Sequence, residues 1–233
     1  MIRKVYIRSF CVLKPGAPDP DFKPLLTMME ARRMTPLMKR AVYTASQALA
    51  GAALACPQAI ICGTQWGCLV NTEAFFAALH GLDDRAPSPT HFMQSTHNTL
   101  ASLLGIRLKC HGYNATYSHS EISFESALLD AFLQIRSGAL DNALVGAYEE
   151  MPPFFAEMFR VQADLAAAFV LSASPQDALA VLEDVQLMRG KPACGAPDPA
   201  ALSLSEVLPC SGTVELHGGG EGRSQSLIRL CGN

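Results

Sequence analysis

The chain of 233 residues is 49% hydrophobic and 17% charged, so it can bury a substantial core and is not a disordered sequence. Its net charge of −3 at pH 7, without any dense run of Lys or Arg, excludes a nucleic-acid groove and a polybasic membrane patch. The charged share is below the usual value of about 25%. We therefore expect a partner protein to cover part of the apolar surface.

The first residues are basic and partly apolar, but a Lys14-Pro15-Gly16 turn interrupts them before a signal-peptide core forms. The longest apolar stretches, residues 48–55 and 165–173, are far shorter than the roughly 20 residues that span a bilayer. We expect a soluble, cytoplasmic protein without a membrane span. Its eight cysteines are dispersed without a CxxC pair, which favours buried free thiols over disulfides or a zinc site.

Strand and helix patterns alternate in the first half of the chain. Period-two alternation over residues 5–13 predicts a first strand, and a spacing of three to four residues after Thr35 and Pro36 predicts a helix. The elements predicted next are a buried strand over 59–62, a helix over 69–80, a helix over 93–104 closed by Gly105, and a strand-like stretch over 107–117.

The second half continues the alternation. A helix is predicted over residues 123–137, with Ser123 as its N-cap and Gly138 at its end. Further predictions are strands over 142–147 and 166–171, a helix or a strand over 178–188, and two weak strands over 213–216 and 226–230 joined by a glycine turn over 218–222. The pattern predicts an α/β sandwich. We expect one domain over residues 1–188, with a short C-terminal extension over 189–233 that packs on it.

Several stretches over residues 5–184 resemble the β-ketoacyl synthase family, a branch of the thiolase fold. The helix over 39–53 and the glycine-ended strand over 60–64 resemble the family's first long helix and second strand. The segment 89–105 is similar to the one that carries an Asn, here Asn98. The block 135–149, which reads IRSGALDNALVGAYE, is the most specific match. The resemblance implies a thiolase-like layered sandwich that corresponds to a single, N-terminal half of the ketosynthase fold.

The family's nucleophile is a cysteine at the start of a buried helix, where the helix amides stabilise a thiolate and an oxyanion. Counting from Gly112 brings Glu121 to that position, and no cysteine lies between Cys110 and Cys194. Active members also use two histidines from a C-terminal half. The resemblance therefore implies no catalytic residue here. Glu121 is either a helix-start charge or a mimic of an acyl or malonyl carboxylate, the role that Gln has in aromatic polyketide chain-length factors.

The resemblance also implies candidates for an acyl tunnel and a subunit interface. Phe92, Met93, His97 and Leu100 would approach the tunnel, although ordinary core packing is the more frequent explanation for such residues. The strand that contains Thr116, Tyr117, Ser118 and His119 would pair across a dimer axis. Phe154 and Phe155 would contact the partner subunit.

Three functional hypotheses follow. The first is a non-catalytic chain-length factor that forms a heterodimer with an active ketosynthase and is most similar to the partner subunits of bacterial aryl polyene synthesis. It would shape the tunnel for an acyl or polyene chain that is carried on an acyl carrier protein. The second is a hydrolase or acyltransferase that uses Ser118, His119 and Glu121. The third is a homodimeric acyl-binding scaffold. No cofactor, metal or nucleic acid is expected in any of them.

Overall fold

The computed structural model describes residues 2–81, 86–159, 164–189, 200–219 and 224–232. Its strands are β1 (Val5–Leu13), β2 (Ala59–Gly63), β3 (Tyr113–Tyr117), β4 (Asn142–Glu150), β5 (Asp164–Ser172), β6 (Ala180–Arg189), β7 (Thr213–Gly219) and β8 (Ser224–Cys231). They form a single eight-stranded sheet of order β3-β2-β4-β5-β1-β6-β8-β7. β2 pairs in parallel with β3 and β4, and the other neighbouring strands pair antiparallel.

Helices lie on both faces of the sheet. They are α1 (Met28–Arg32), α2 (Pro36–Gly51), α3 (Leu69–Leu79), α4 (Pro89–Gln94), α5 (Thr99–Leu108), α6 (Ser123–Ser137), α7 (Pro153–Phe159) and α8 (Ala200–Glu206). One buried cluster joins α6 and α8 to one sheet face, and a second joins α2 and α5 to the other. Successive strand residues such as Leu144 and Val145 belong to opposite clusters, as the pleat requires. The predicted layered α/β sandwich is confirmed.

Most predicted elements are confirmed. β1 and α6 have the predicted bounds, and α2 begins after Thr35, whose side chain accepts from the backbone N–H of Met38. The ambiguous stretch over 178–188 is strand β6, and both weak strands of the tail are present as β7 and β8. The glycine turn over 218–222 lies partly outside the described residues. The domain boundary at residue 188 stays a prediction, and the strands β6 to β8 continue the same sheet.

The single helix predicted over residues 93–104 is wrong. Two helices, α4 and α5, are separated by residues 95–98, where the hydroxyl of Ser95 donates to Phe92 O at 2.8 Å and competes with the helical backbone. Gly105 lies inside α5, which ends at Lys109 in a left-handed conformation with a φ of 51°. The strand predicted from residue 107 consequently begins only at Tyr113.

Helix α6 is enclosed on most of its surface, by the sheet on one side and by α8 on another. Its Glu125 is buried, and Oε1 accepts from the hydroxyl of Ser226 on β8 at 2.8 Å. The backbone of β7 approaches so closely at Gly218 that a Cβ there would lie 2.5 Å from Glu125 Oε1. Burial raises the pKa of Glu125 to about 7, against the effect of the Ser226 hydrogen bond.

The start of α6 rests directly on the end of β2. A Cβ added to Gly63 would lie 2.4 Å from Ser123 O and 2.5 Å from Phe124 N, both backbone atoms. Because backbone atoms cannot rotate away, only glycine permits this approach. Gly63 therefore fixes where α6 begins.

We predict that Gly63→Ala lowers the free energy of unfolding by about 2 to 3 kcal/mol, because the sheet and α6 must separate to admit the methyl group. Urea unfolding measures the change. Gly16→Ala is the control: Gly16 has a φ of +71° but no atom within 4 Å of the added Cβ. It should lose only about 1 kcal/mol, from backbone strain. Equal losses for the two variants would contradict the steric explanation.

The buried carboxyl of Glu125 predicts a pH dependence of stability. Its folded pKa of about 7 exceeds the ordinary glutamate value of 4.5, so its contribution to stability is complete below about pH 4.5 and is lost as the pH rises through 7. Glu125→Gln keeps an acceptor for Ser226 without this titration. Relative to wild type, its free energy of unfolding should rise between pH 5 and pH 8, by up to about 3 kcal/mol.

The free energies of unfolding at the two pH values test this prediction. The control is Glu157→Gln on the exposed surface of α7, which should keep the wild-type pH dependence. Parallel curves for wild type and E125Q would show that Glu125 does not titrate with folding.

Candidate functional site

A tight turn over residues 118–122 joins β3 to α6. Ser120 lies in the left-handed region with a φ of 48°, which is uncommon for a residue other than glycine. The hydroxyl of Ser123 donates to Ser120 O at 2.6 Å and accepts from the backbone N–H of His119 at 2.8 Å. Ser123 is thus the first residue of α6 and not its N-cap, which is Ile122. Its side chain closes the turn that presents Glu121.

Glu121 is exposed and lies two residues before α6. The positive end of the helix dipole favours a carboxylate in this place. The described thiol on neighbouring β2, Cys62, cannot substitute for a nucleophile here: it belongs to the core cluster on the opposite face from α6, and burial raises its pKa to about 12. The site therefore has a carboxylate at the position where the resemblance to the β-ketoacyl synthase family predicts a cysteine thiol.

His119 is held by α6. Its Nδ1 lies 3.1 Å from the hydroxyl of Ser126, and that hydroxyl donates to Ile122 O at 2.8 Å. Since the Ser126 hydrogen is engaged, Nδ1 is the donor to Ser126 Oγ. Among the described side-chain hydrogen bonds, none joins His119 to Ser118 or Glu121. The three residues of the hypothetical hydrolase are neighbours in sequence but do not form a hydrogen-bonded relay.

Two glutamates at the end of β4 organise the loop that follows β2. Glu149 accepts from the backbone N–H groups of Gln65 at 2.5 Å and Trp66 at 3.1 Å and from the hydroxyl of Thr64 at 3.2 Å, and Glu150 accepts from Val70 N at 3.0 Å. Burial raises the pKa of both carboxyls to about 7, against the effect of these donors. Sequence analysis assigned them no role, although Glu149 is the last residue of the family-like block over 135–149.

The four tunnel candidates near α4 separate into two groups. Phe92 and Met93 are exposed on α4, and the ring of Phe92 lies 5.3 Å from that of Phe75. His97 is exposed and packs on Gly67, where an added Cβ would lie 3.2 Å from the imidazole. Leu100 is different, because it is 1% exposed and packs among α2, α5 and the sheet. Phe92, Met93 and His97 thus belong to the surface, and Leu100 belongs to the core.

The interface candidates lie on β3, in the turn and on α7. β3 pairs with β2 on one side, and no described strand pairs with its other edge. Thr116 and Tyr117 are half-buried, the Thr116 hydroxyl has no hydrogen-bond partner among the described residues, and Ser118 and His119 are exposed. The pKa of Tyr117 is raised, first by burial and then by the Asp130 carboxylate. On α7, the rings of Phe154 and Phe155 pack edge to face at 5.3 Å.

No helix in the described part of the chain is long and apolar enough to cross a bilayer. Within the same residues, no three His, Cys, Asp or Glu side chains approach one another as metal ligands would. Seven cysteines are described and all are free, but Cys56 is exposed, so the expectation of buried thiols is only partly met.

Solved structures with the same fold come from ketosynthase assemblies. A chain of the ketosynthase ApeO in complex with its chain length factor ApeC from Xenorhabdus doucetiae is 19% identical, with a TM-score of 0.72 and coverage of 98% of this chain and 99% of that chain. The ishigamide ketosynthase/chain length factor is 13% identical, with a TM-score of 0.77, and AntDE:AntF, a type II PKS acyl-carrier protein in complex with its ketosynthase, is 13% identical, with a TM-score of 0.78. Both of these cover 100% of each chain.

Comparison with curated proteins gave no significant match. The family model described as "Beta-ketoacyl synthase, N-terminal domain" matches residues 12–208, which is most of the chain and includes the turn at Glu121, the whole of α6 and the glutamates of β4. The chain therefore belongs to the β-ketoacyl synthase family and carries its N-terminal domain.

Proposed function

We propose that this chain is a non-catalytic chain-length factor that pairs with an active ketosynthase. The observation that carries the proposal is Glu121: a carboxylate stands at the start of α6, where the family has its nucleophilic cysteine. The turn and the enclosed helix behind that position are nevertheless complete. A carboxylate would form a mixed anhydride with an acyl group, which hydrolyses far more readily than a thioester. The condensation chemistry would therefore belong to the partner.

The outer edge of β3, with which no described strand pairs, supports a paired subunit. The backbone N–H and C=O groups on that edge can add the strand of another chain, and Tyr113 leaves 41% of its surface exposed beside them. Both the ApeO–ApeC complex and the ishigamide structure contain a ketosynthase with its chain length factor. We assign β3 and the turn after it, together with Phe154 and Phe155 on α7, to the contact with the ketosynthase.

The exposed apolar surface of α4 is the proposed tunnel wall. Phe92, Met93 and the adjacent Phe75 offer aromatic and thioether groups that would be covered only in a complex. Burying each carbon of a growing chain gains about 0.8 kcal/mol until the chain meets this wall, where further growth costs steric energy. The carried chain is, in this proposal, an aryl polyene on an acyl carrier protein.

Glu121 has its own role in the proposal. In this role its carboxylate would mimic an acyl or malonyl carboxylate, and the positive end of α6 would favour the negative charge. The hydrolase hypothesis is less well supported, because His119 is bonded to Ser126 and Ser123 rather than to Ser118 or Glu121. The homodimeric scaffold is an outcome that the pairing experiment distinguishes.

We predict a 1:1 complex when the chain is co-expressed with its ketosynthase and analysed by size-exclusion chromatography. Tyr113→Glu should weaken the complex at least tenfold, because it places a charge at the β3 edge. Ile106→Glu is the control, since Ile106 is 80% exposed on α5, outside β3. A stable homodimer that excludes the ketosynthase would favour the scaffold instead, and equal effects of the two variants would remove β3 from the interface.

We also predict that Met93→Trp shortens the product of the reconstituted complex, because a larger side chain brings the wall closer to the growing chain. The products are compared by mass spectrometry. Met28→Trp is the matched control, since Met28 is 75% exposed on α1 and Met93 is 71% exposed on α4. Products of unchanged length from M93W in an intact complex would place the wall elsewhere.

A further inference from the structure

Two cysteines lie side by side where β2 and β3 begin. The parallel register pairs Ala59 with Tyr113, and Cys56 and Cys110 lie three residues before these two positions. Adjacent strands lie about 4.8 Å apart. A disulfide bridges Cα atoms that lie roughly 4.4 to 6.8 Å apart, and the pairing that begins at Ala59 and Tyr113 brings the two preceding cysteine segments close to each other.

The two thiols point to the same place. Cys110 Sγ donates to Pro57 O at 3.1 Å, and Cys56 Sγ lies 3.5 Å from the same carbonyl oxygen. The pKa of Cys56 is raised, first by desolvation and then by the neighbouring Cys110 thiol. Shared contact with one carbonyl oxygen places the two sulfur atoms close together.

The segments that carry these thiols are firmly held. A Cβ on Gly112 would lie 1.9 Å from Gln58 O, so the two backbones touch just beyond the cysteines. Gln58 is fixed in turn, because its N–H donates to Asn142 Oδ1 at 2.9 Å and its Oε1 accepts from Asp141 N at 2.7 Å. The backbone N–H of Cys110 donates to Gly105 O at 2.9 Å and ties its segment to α5. The pair is therefore preorganised.

Exposure distinguishes this pair from the other described thiols. Cys56 is exposed and Cys110 half-buried, whereas Cys62 and Cys68 are buried and burial raises the pKa of each to about 12. A small oxidant in solution can reach Cys56 directly. Cys56 is the most accessible of the described thiols, so oxidation should begin at this residue.

We infer that Cys56 and Cys110 form an oxidisable dithiol that a hydroperoxide closes into a disulfide. The Cys56 thiolate attacks one peroxide oxygen; an S–O bond forms, the O–O bond breaks, and the leaving hydroxide takes up a proton as water. The Cys110 thiolate then attacks the sulfenic sulfur, and the S–S bond forms as hydroxide leaves. The two thiols lose two electrons and two protons, and hydrogen peroxide becomes two molecules of water.

The disulfide would join the segment after α2 to the segment after α5 and would restrain the starts of both β2 and β3. It is a modification site separate from Glu121 and from the α4 surface. The inference does not depend on the proposed function, because it rests on the geometry of the two strands alone.

The test uses the reduced full-length chain, treated with hydrogen peroxide and analysed by intact mass and by peptide mapping without reductant. We expect a loss of about 2 Da, one for each thiol hydrogen, a peptide that links Cys56 to Cys110, and reversal by dithiothreitol. The melting temperature of the oxidised chain should rise by about 5 °C. Cys56→Ser and Cys110→Ser should each abolish the linked peptide and the rise.

Cys210→Ser is the matched control, because Cys210 is close to a different thiol, Cys231, in another part of the sheet. It should leave the linked peptide unchanged. Oxygen addition at Cys56 without a link, a link between Cys210 and Cys231 alone, or no reaction at all would each overturn the inference.

Discussion

The contact between Gly63 and the first turn of α6 is the constraint on which the rest of the site depends. Because β2 ends in a residue without a side chain, the helix starts directly on the sheet, and the turn from β3 has only five residues in which to reach it. Ser123 and Ser120 close that turn with their hydrogen bond. Glu121 is presented to the surface as the result. The position of the carboxylate is thus determined by backbone packing and not by contacts of its own.

The same helix explains how the C-terminal strands join the fold. α6 carries apolar residues around most of its circumference, so strands β2 and β4 alone cannot cover it. β6 and α8 pack on the remaining surface, and β8 supplies the Ser226 hydroxyl to Glu125. The tail, in which sequence analysis predicted two weak strands, therefore completes the burial of α6.

Local sequence predicted those elements whose signals are local. β1, α2 and α6 have regular periodicity together with a clear boundary, such as Thr35-Pro36 or Gly138, and they are where they were expected. The break between α4 and α5 was missed because side chains such as Ser95 satisfy backbone groups that periodicity assigns to a helix. Counting residues from Gly112 located Glu121 just before α6. It could not show that Leu100 is in the core while Phe92 is exposed, nor that Cys56 faces Cys110, because both depend on how distant segments pack.

The two border strands of the sheet, β3 and β7, differ in how readily they can pair with a further strand. β7, at the border opposite β3, presents Glu215 in an ion pair with Arg229 at 2.8 Å and ends in two glycines, features that discourage the addition of a further strand. β3 ends in tyrosines and is the border suited to strand addition. A sheet that can grow in one direction only gives a closed pair of subunits, since the second chain uses the same border and leaves none for a third. Pairing through β3 would therefore stop at two chains and would not continue into a filament.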